Sequence, residues 1–255
     1  MSSITTHNSK LQPTANVSNR LFFFVIRNWL LVFSLMYGLL VGLPFLPPML
    51  MQIGWIGPAK IIYTFYSLLC HQLPQRSFFL FGSQSMYHLN EIQVNWQNST
   101  NPLILRQFIG NPELGWKVAW SDRMVSMFTS VLIFAWIWWL LRKKLNPLPM
   151  WGLVLLLLPM VVDGTTHLIS DLTGLGQGFR DTNIWLVSLA NNAFTPSFYM
   201  GDALGSFNSW LRFVTGVLFG VGIVWFSFPH IDAAIQDMRI GQPNTKTSRM
   251  SGTNN

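Results

Sequence analysis

Asp163, His167 and Asp171 recur at intervals of four residues, so on a helix they fall within an arc of about 80° on one face. Carboxylates and an imidazole placed in this way can bind a metal ion, carry protons or hold a small polar solute. Cys70 and His71 offer further ligand or proton-carrying groups, and Arg76, Asp122, Arg123 and Arg212 are candidate charge partners. A charge at membrane depth costs at least about 2.5 kcal/mol on insertion scales, so such groups are expected to face a bundle interior and pair. The expected pair is Asp163 with Arg123 or Arg212. The same cluster can also be read as a structural ion-pair network that sets how helices meet and binds nothing. No activated nucleophile or metal-bound water can be assembled from the pattern, so a membrane-embedded enzyme is the weakest reading, and no cofactor is assigned.

These residues sit in a chain of 255 residues, half of them hydrophobic and 10% charged. A soluble domain carries roughly 25% charged residues, so the composition excludes an ordinary soluble enzyme and a disordered chain. The net charge of +7 does not form a basic surface between the apolar runs, so no nucleic acid is expected as a partner. One cysteine excludes a disulfide framework and a four-thiolate zinc site.

Four windows are long and apolar enough to cross a bilayer, near residues 21–46, 116–141, 148–170 and 207–228. A shorter apolar segment gives a half-inserted helix near residues 58–72, whose nine most apolar residues reach about half-way through the hydrocarbon. Residues 1–20 and 231–255 read as cytoplasmic tails, polar and largely disordered. With the short helix returning to the side it entered from, nine basic residues face two acidic ones on the side of the termini. The other side balances at seven of each. Positive residues favour the cytoplasm, so this distribution predicts four spans with both termini inside, in the cell membrane. The fold class expected is all-α, a polytopic transmembrane bundle of four full spans plus one re-entrant or interfacial helix, forming a single domain over residues 21–230.

Lesser motifs complete the expectation. Gly38/Gly42 and Gly216/Gly220 have GxxxG spacing and can pack helices within the chain or dock a membrane partner or a second copy. Trp96, Trp116 and Trp120 read as an outer aromatic belt, and Trp136, Trp138, Trp139 and Trp151 as an inner one. Gly174, Gly176 and Gly178 let the chain turn after the third window, and residues 184–190 suit a short interfacial helix.

The stretch Cys70-His71-Gln72-Leu73-Pro74-Gln75-Arg76-Ser77-Phe78-Phe79-Leu80-Phe81-Gly82 resembles a prokaryotic family of multi-pass membrane proteins known as a domain of unknown function and marked by Cys-His-Gln-x-Pro-x-Arg-Ser-Phe. The resemblance extends through Gly115-Trp116-Lys117-Val118-Ala119, Asp122-Arg123, Pro159 with Asp163-Gly164-Thr165-Thr166, and Arg212 with Thr215-Gly216, covering most of residues 60–230. Members of that family typically carry cysteines on both sides of the arginine, where this chain has Ser121-Asp122-Arg123-Met124. The resemblance implies a membrane architecture and weight at these positions, and it supplies no activity.

Overall fold

A computed structural model describes residues 12–240. The chain divides into two compact units, Met1–Gly38 with Ile231–Asn255, and Leu39–His230. Four helical stretches are long and apolar enough to cross a membrane: Trp29–Gln52, Asp122–Leu141, Met150–Asp171 and Phe207–Met238. The chain is thus predominantly helical, as its hydropathy predicts.

In the first unit, α1 (Gln12–Arg27) is followed by a break at Asn28, whose side-chain amide donates to the Phe24 carbonyl at 3.0 Å. The helix resumes as α2 (Trp29–Gly42). Residues 12–20, expected as part of a disordered tail, therefore lie in a helix, while 1–11 and 241–255 fall outside the described residues. The Trp29 indole N–H donates to Asp232 Oδ1 at 3.3 Å.

The first candidate span runs later than the expected 21–46 and continues through Pro47 and Pro48. Pro44 sits in a 3-10 turn (Leu43–Phe45), and Pro47 and Pro48 sit in the first turn of α3 (Leu46–Gln52). A first-turn N–H has no helical partner to lose, so proline is tolerated there. At the other end, α12 (Phe207–Ile240) continues through Pro229, which removes a single backbone donor, and past the expected stop at 228.

In the second unit, a turn at Gly54, with φ of +82°, folds α4 (Ile56–Ser67) back onto α3. Twelve residues rise about 18 Å, short of a hydrocarbon core of about 30 Å. The helix is held by Tyr66, whose hydroxyl donates to the Leu40 carbonyl at 2.9 Å. It ends before Cys70, so the segment expected as one half-inserted helix near 58–72 is a short helix followed by extended chain and a 3-10 turn (Pro74–Arg76).

A small antiparallel sheet departs from the all-helical expectation locally. Strands β1 (Ser77–Leu80), β2 (Gly110–Asn111) and β3 (Gly115–Ser121) lie in the order β1-β3-β2, with Phe79 opposite Lys117 and Asn111 opposite Gly115. β3 takes residues 116–121 from the expected second span, and α7 (Asp122–Leu141) starts only afterwards. The cause is burial on both faces: Lys117, Val118, Ala119 and Trp120 are all inaccessible, so the strand reads as an unbroken run without alternation. Trp120, expected in an aromatic belt, instead stacks on Phe128 at 4.6 Å and meets Tyr66 edge-on. Gly115, with φ of +76°, is required where β3 passes β1, since a Cβ there would lie 2.3 Å from the Leu80 carbonyl oxygen. Helices α5 (Leu89–Asn95) and α6 (Pro102–Leu105) close a core of Phe79, Tyr87, Ile92, Leu105 and Phe108 against this sheet.

Helix α8 (Met150–Asp171) is followed by turns at Gly174 and Gly176 and by the short helices α9 (Phe179–Thr182), α10 (Ile184–Leu189) and α11 (Pro196–Tyr199). Large apolar side chains such as Leu140, Leu155 and Val161 are exposed along α7 and α8. An apolar surface of this extent is what lipid covers.

Small residues bring α7 and α12 together. Added Cβ atoms at Gly216 and Gly220 would lie 2.1 and 2.0 Å from the hydroxyls of Ser126 and Ser130. Each hydroxyl is shared between its own helix, at the carbonyls of Arg123 (2.9 Å) and Met127 (2.8 Å), and the facing helix, at the carbonyls of Arg212 and Gly216, each at 3.2 Å. The Gly216/Gly220 face is thus used within the chain, while Gly42 faces open space. At Gly220 the added carbon also meets the Val131 backbone nitrogen at 2.8 Å, so rotating Ser130 does not relieve the clash. Gly220→Ala is therefore expected to lower unfolding stability in detergent by about 1–3 kcal/mol, measurable by denaturant titration, whereas Gly42→Ala leaves it unchanged.

Candidate functional site

At one end of the second unit the termini of α7, α8 and α12 meet the segments that follow α4 and α8. Each contributes charge. Asp122 opens α7, where a carboxylate suits the positive end of a helix, and Arg123 is its neighbour. Asp163, His167 and Asp171 lie along the last turns of α8, and Arg212 lies in the second turn of α12. Arg76 follows α4, and the loop after α8 brings Arg180 and Asp202.

Four arginines and four aspartates form the cluster. Arg76 clasps Asp171 through two hydrogen bonds of 2.7 and 2.8 Å and reaches Asp202 through Nε at 2.7 Å. Asp202 also receives Arg212 Nη1 at 2.6 Å, and Arg212 Nε contacts both Asp122 oxygens at 2.8 Å. Beside this chain, Asp163 receives Arg123 at one oxygen and Arg180 at the other, each at 2.7 Å. Within the cluster, the four positive charges of Arg76, Arg123, Arg180 and Arg212 balance the four negative charges of Asp122, Asp163, Asp171 and Asp202.

Arg180 is enclosed by polar groups. Its guanidinium also reaches Thr166 Oγ1 at 3.0 Å and Asn208 Oδ1 at 3.2 Å, and its carbonyl accepts from the amides of Asn183 and Asn208, both at 2.7 Å. Arg180 Nη2 lies 3.2 Å from His167 Nε2. A guanidinium has only donors, so Nε2 accepts and the ring hydrogen sits on Nδ1, a buried atom without a hydrogen-bond partner.

Burial penalises the Asp202 carboxylate, but the Arg76 and Arg212 guanidiniums outweigh it and hold Asp202 far below the usual carboxylate range. Burial likewise disfavours charge on Arg76, and Asp202 and Asp171 reverse that. Asp181 behaves differently: burial, assisted by Asp202, pushes it up to about 6. Its oxygen Oδ2 accepts only from the Gly178 N–H, at 2.8 Å.

An open cleft of about 620 Å³ lies against this cluster, with Asp202 in its lining beside Gln75, His88, Glu91 and Asp181. Glu91 accepts from the His88 backbone N–H at 2.7 Å and from the Gln84 amide at 2.9 Å.

The structure places Asp163 and His167 four residues apart on α8 and, of the two arginines expected for Asp163, puts Arg123 against it. It gives Arg212 to Asp122 and Asp202 instead of Asp163, and Asp171 to Arg76. Cys70 stands apart, its Sγ 3.6 Å from Ser121 Oγ, and His71 is exposed beside it. Among the described residues no group of three or more His, Cys, Asp or Glu side chains is placed to hold a metal ion. Arg180, Asn183 and Asp202 lie on no long helix whose spacing would reveal them, whereas Asn208 lies on α12 four residues before Arg212 and could have been found on that face. The equal number of acids and bases on that side of the chain was the available signal.

A second buried charge lies in β3. Lys117 Nζ donates to the carbonyls of Gln72 at 2.7 Å and Arg106 at 3.0 Å, the two donors of a neutral amine. Burial pushes Lys117 down to about 7, Cys70 opposing and Arg106 reinforcing the shift.

Fold and site together define a polytopic helical membrane protein whose loops are fastened to its span ends by ion pairs. Residues 113–226 match a family described as a predicted membrane protein (DUF2085). The chain is also 28% identical, over 193 residues, to an uncharacterised protein of Methanocaldococcus jannaschii, covering 72% of this chain and 81% of that protein. No solved structure matches it. These similarities support an uncharacterised membrane-protein family; the matched family segment begins after the Cys70–Gly82 stretch.

Two predictions follow from the charges. Asp202→Asn leaves Arg76 and Arg212 facing a neutral amide and is expected to cost about 3–5 kcal/mol of unfolding free energy, more than Asp171→Asn, whose side chain is 21% exposed to solvent. For Lys117, the unfolded chain holds its proton up to about 10.4 and the native chain only to about 7, so stability is expected to rise with pH across that window and fall as pH drops towards 7. Chemical denaturation at pH 6.5 and 9.5 measures this slope, which Lys117→Met flattens.

Proposed function

We propose that the chain is a multi-pass cell-membrane protein with both termini in the cytoplasm, which handles a small polar solute in the cleft on its outer side. The observation that carries this reading is the pairing of an open cleft, with carboxylates and amides among its lining residues, with a fully neutralised ion-pair cluster against it. Both oxygens of Asp163 are engaged by guanidiniums, whose positive charges disfavour a metal ion or an added proton at that carboxylate. The cluster is suited to hold the cleft's walls, and the cleft to receive a ligand. Four crossings put residues 53–121 and 172–206 on one side, and the excess of basic residues elsewhere favours the other side as cytoplasmic.

A non-catalytic scaffold, docking a membrane partner or a second copy, is favoured by one observation, the open space around Gly42. The Gly216/Gly220 face gives it no support, because α7 occupies it.

Ser197 is exposed and lines the cleft. A Ser197→Cys variant in a Cys70→Ser background is expected to react with a membrane-impermeant maleimide from the outside of intact cells, and to be protected by at least one of a set of small amines, diols and dicarboxylates. Labelling from the cytoplasmic side alone overturns the topology. Labelling unchanged by all of the solutes overturns the solute reading.

A further inference from the structure

Resting on the solute-site reading, we infer that the cleft selects a small organic cation of the alkylammonium type. Three carboxylates line it, those of Glu91, Asp181 and Asp202, and no lysine or arginine does. Asp202 is neutralised from behind by Arg76 and Arg212. Among the described residues neither Glu91 nor Asp181 is ion-paired to a lysine or arginine, so no contact ion pair cancels their negative charge in the cleft. A concave, low-dielectric wall focuses such a field on its contents.

Gln75 supplies an independent observation. It lines the same cleft, is only 2% exposed, and its Oε1 is a buried acceptor without a hydrogen-bond partner among the described residues. A buried acceptor left empty costs free energy that a ligand N–H recovers. An ammonium group presents three donors and no acceptor. It therefore complements a site that offers an amide oxygen and two carboxylates, whereas an anion meets repulsion and a hydroxyl leaves the charges unanswered. Leu89, Pro196 and Met200 line other parts of the cleft and give a short carbon body an apolar seat.

Three probes sharing a five-carbon chain separate the classes: cadaverine, 1,5-pentanediol and glutarate. Isothermal titration uses the full-length protein in phosphatidylcholine nanodiscs, with empty nanodiscs as the blank. Cadaverine is expected to bind at least tenfold more tightly than either other probe, and to lose at least tenfold in Asp181→Asn and in Gln75→Leu. Glu91→Gln provides a second charge removal should either of those variants fail to fold. Equal or tighter binding of the diol or the dicarboxylate overturns the cation assignment and leaves the solute reading standing. Binding of none of the three overturns both. Cadaverine binding that is unchanged in Asp181→Asn and Glu91→Gln overturns the site.

Discussion

Asp163 and Asp202 each hold two guanidiniums at 2.6–2.7 Å, and the positions of the surrounding loops follow from that constraint. An unpaired aspartate or arginine in this environment carries a desolvation cost of several kcal/mol, so each charge needs a partner brought to it. The partners come from distant parts of the sequence. Arg76 lies 126 residues before Asp202, and Arg212 lies 90 residues after Asp122. Satisfying every carboxylate therefore draws the segment after α4, the loop after α8 and the ends of α7, α8 and α12 to one place.

The backbone is arranged to permit this. Gly216 and Gly220 let α12 approach α7 closely enough for Ser126 and Ser130 to bond across the interface, which places Arg212 beside Asp122. β3 runs directly into α7, so the sheet fixes where Asp122 and Arg123 begin the helix. The Asn183 and Asn208 amides then hold the Arg180 carbonyl while its guanidinium spans Asp163, Thr166 and His167. Such a closed network is better at fixing one arrangement than at adding stability, since its gains are offset by the cost of burying its charges.

How far the sequence revealed this depended on periodicity. The four long apolar stretches were legible because bilayer thickness sets a length that few other structures require. The shared face of Asp163 and His167 was legible because helical spacing puts residues four apart side by side, and Arg123 follows as their neighbour. β3 was hidden because a strand buried on both faces shows no alternation and, Lys117 aside, joins the apolar run of α7, and Trp120 passed for a belt residue for that reason. Arg180 and Asp202 lie in a loop without repeat, where only tertiary contacts decide which charge meets which. The first span runs past its expected end at 46 because Pro47 and Pro48 fall in the first turn of a helix, where proline is tolerated.

In the proposed reading, a clamp of this kind and an open cleft divide the work between rigidity and access: the neutral cluster holds the walls, and the cleft above it receives the ligand. The most direct measurement of that division is a double-mutant cycle on Asp163 and Arg180, using Asp163→Asn, Arg180→Met and the pair, with unfolding followed in detergent. The expected result is a coupling free energy of about 1–3 kcal/mol, because neither residue keeps its role without the other. Losses that add to within about 0.5 kcal/mol would contradict the account, since the carboxylate and the guanidinium would then be acting independently.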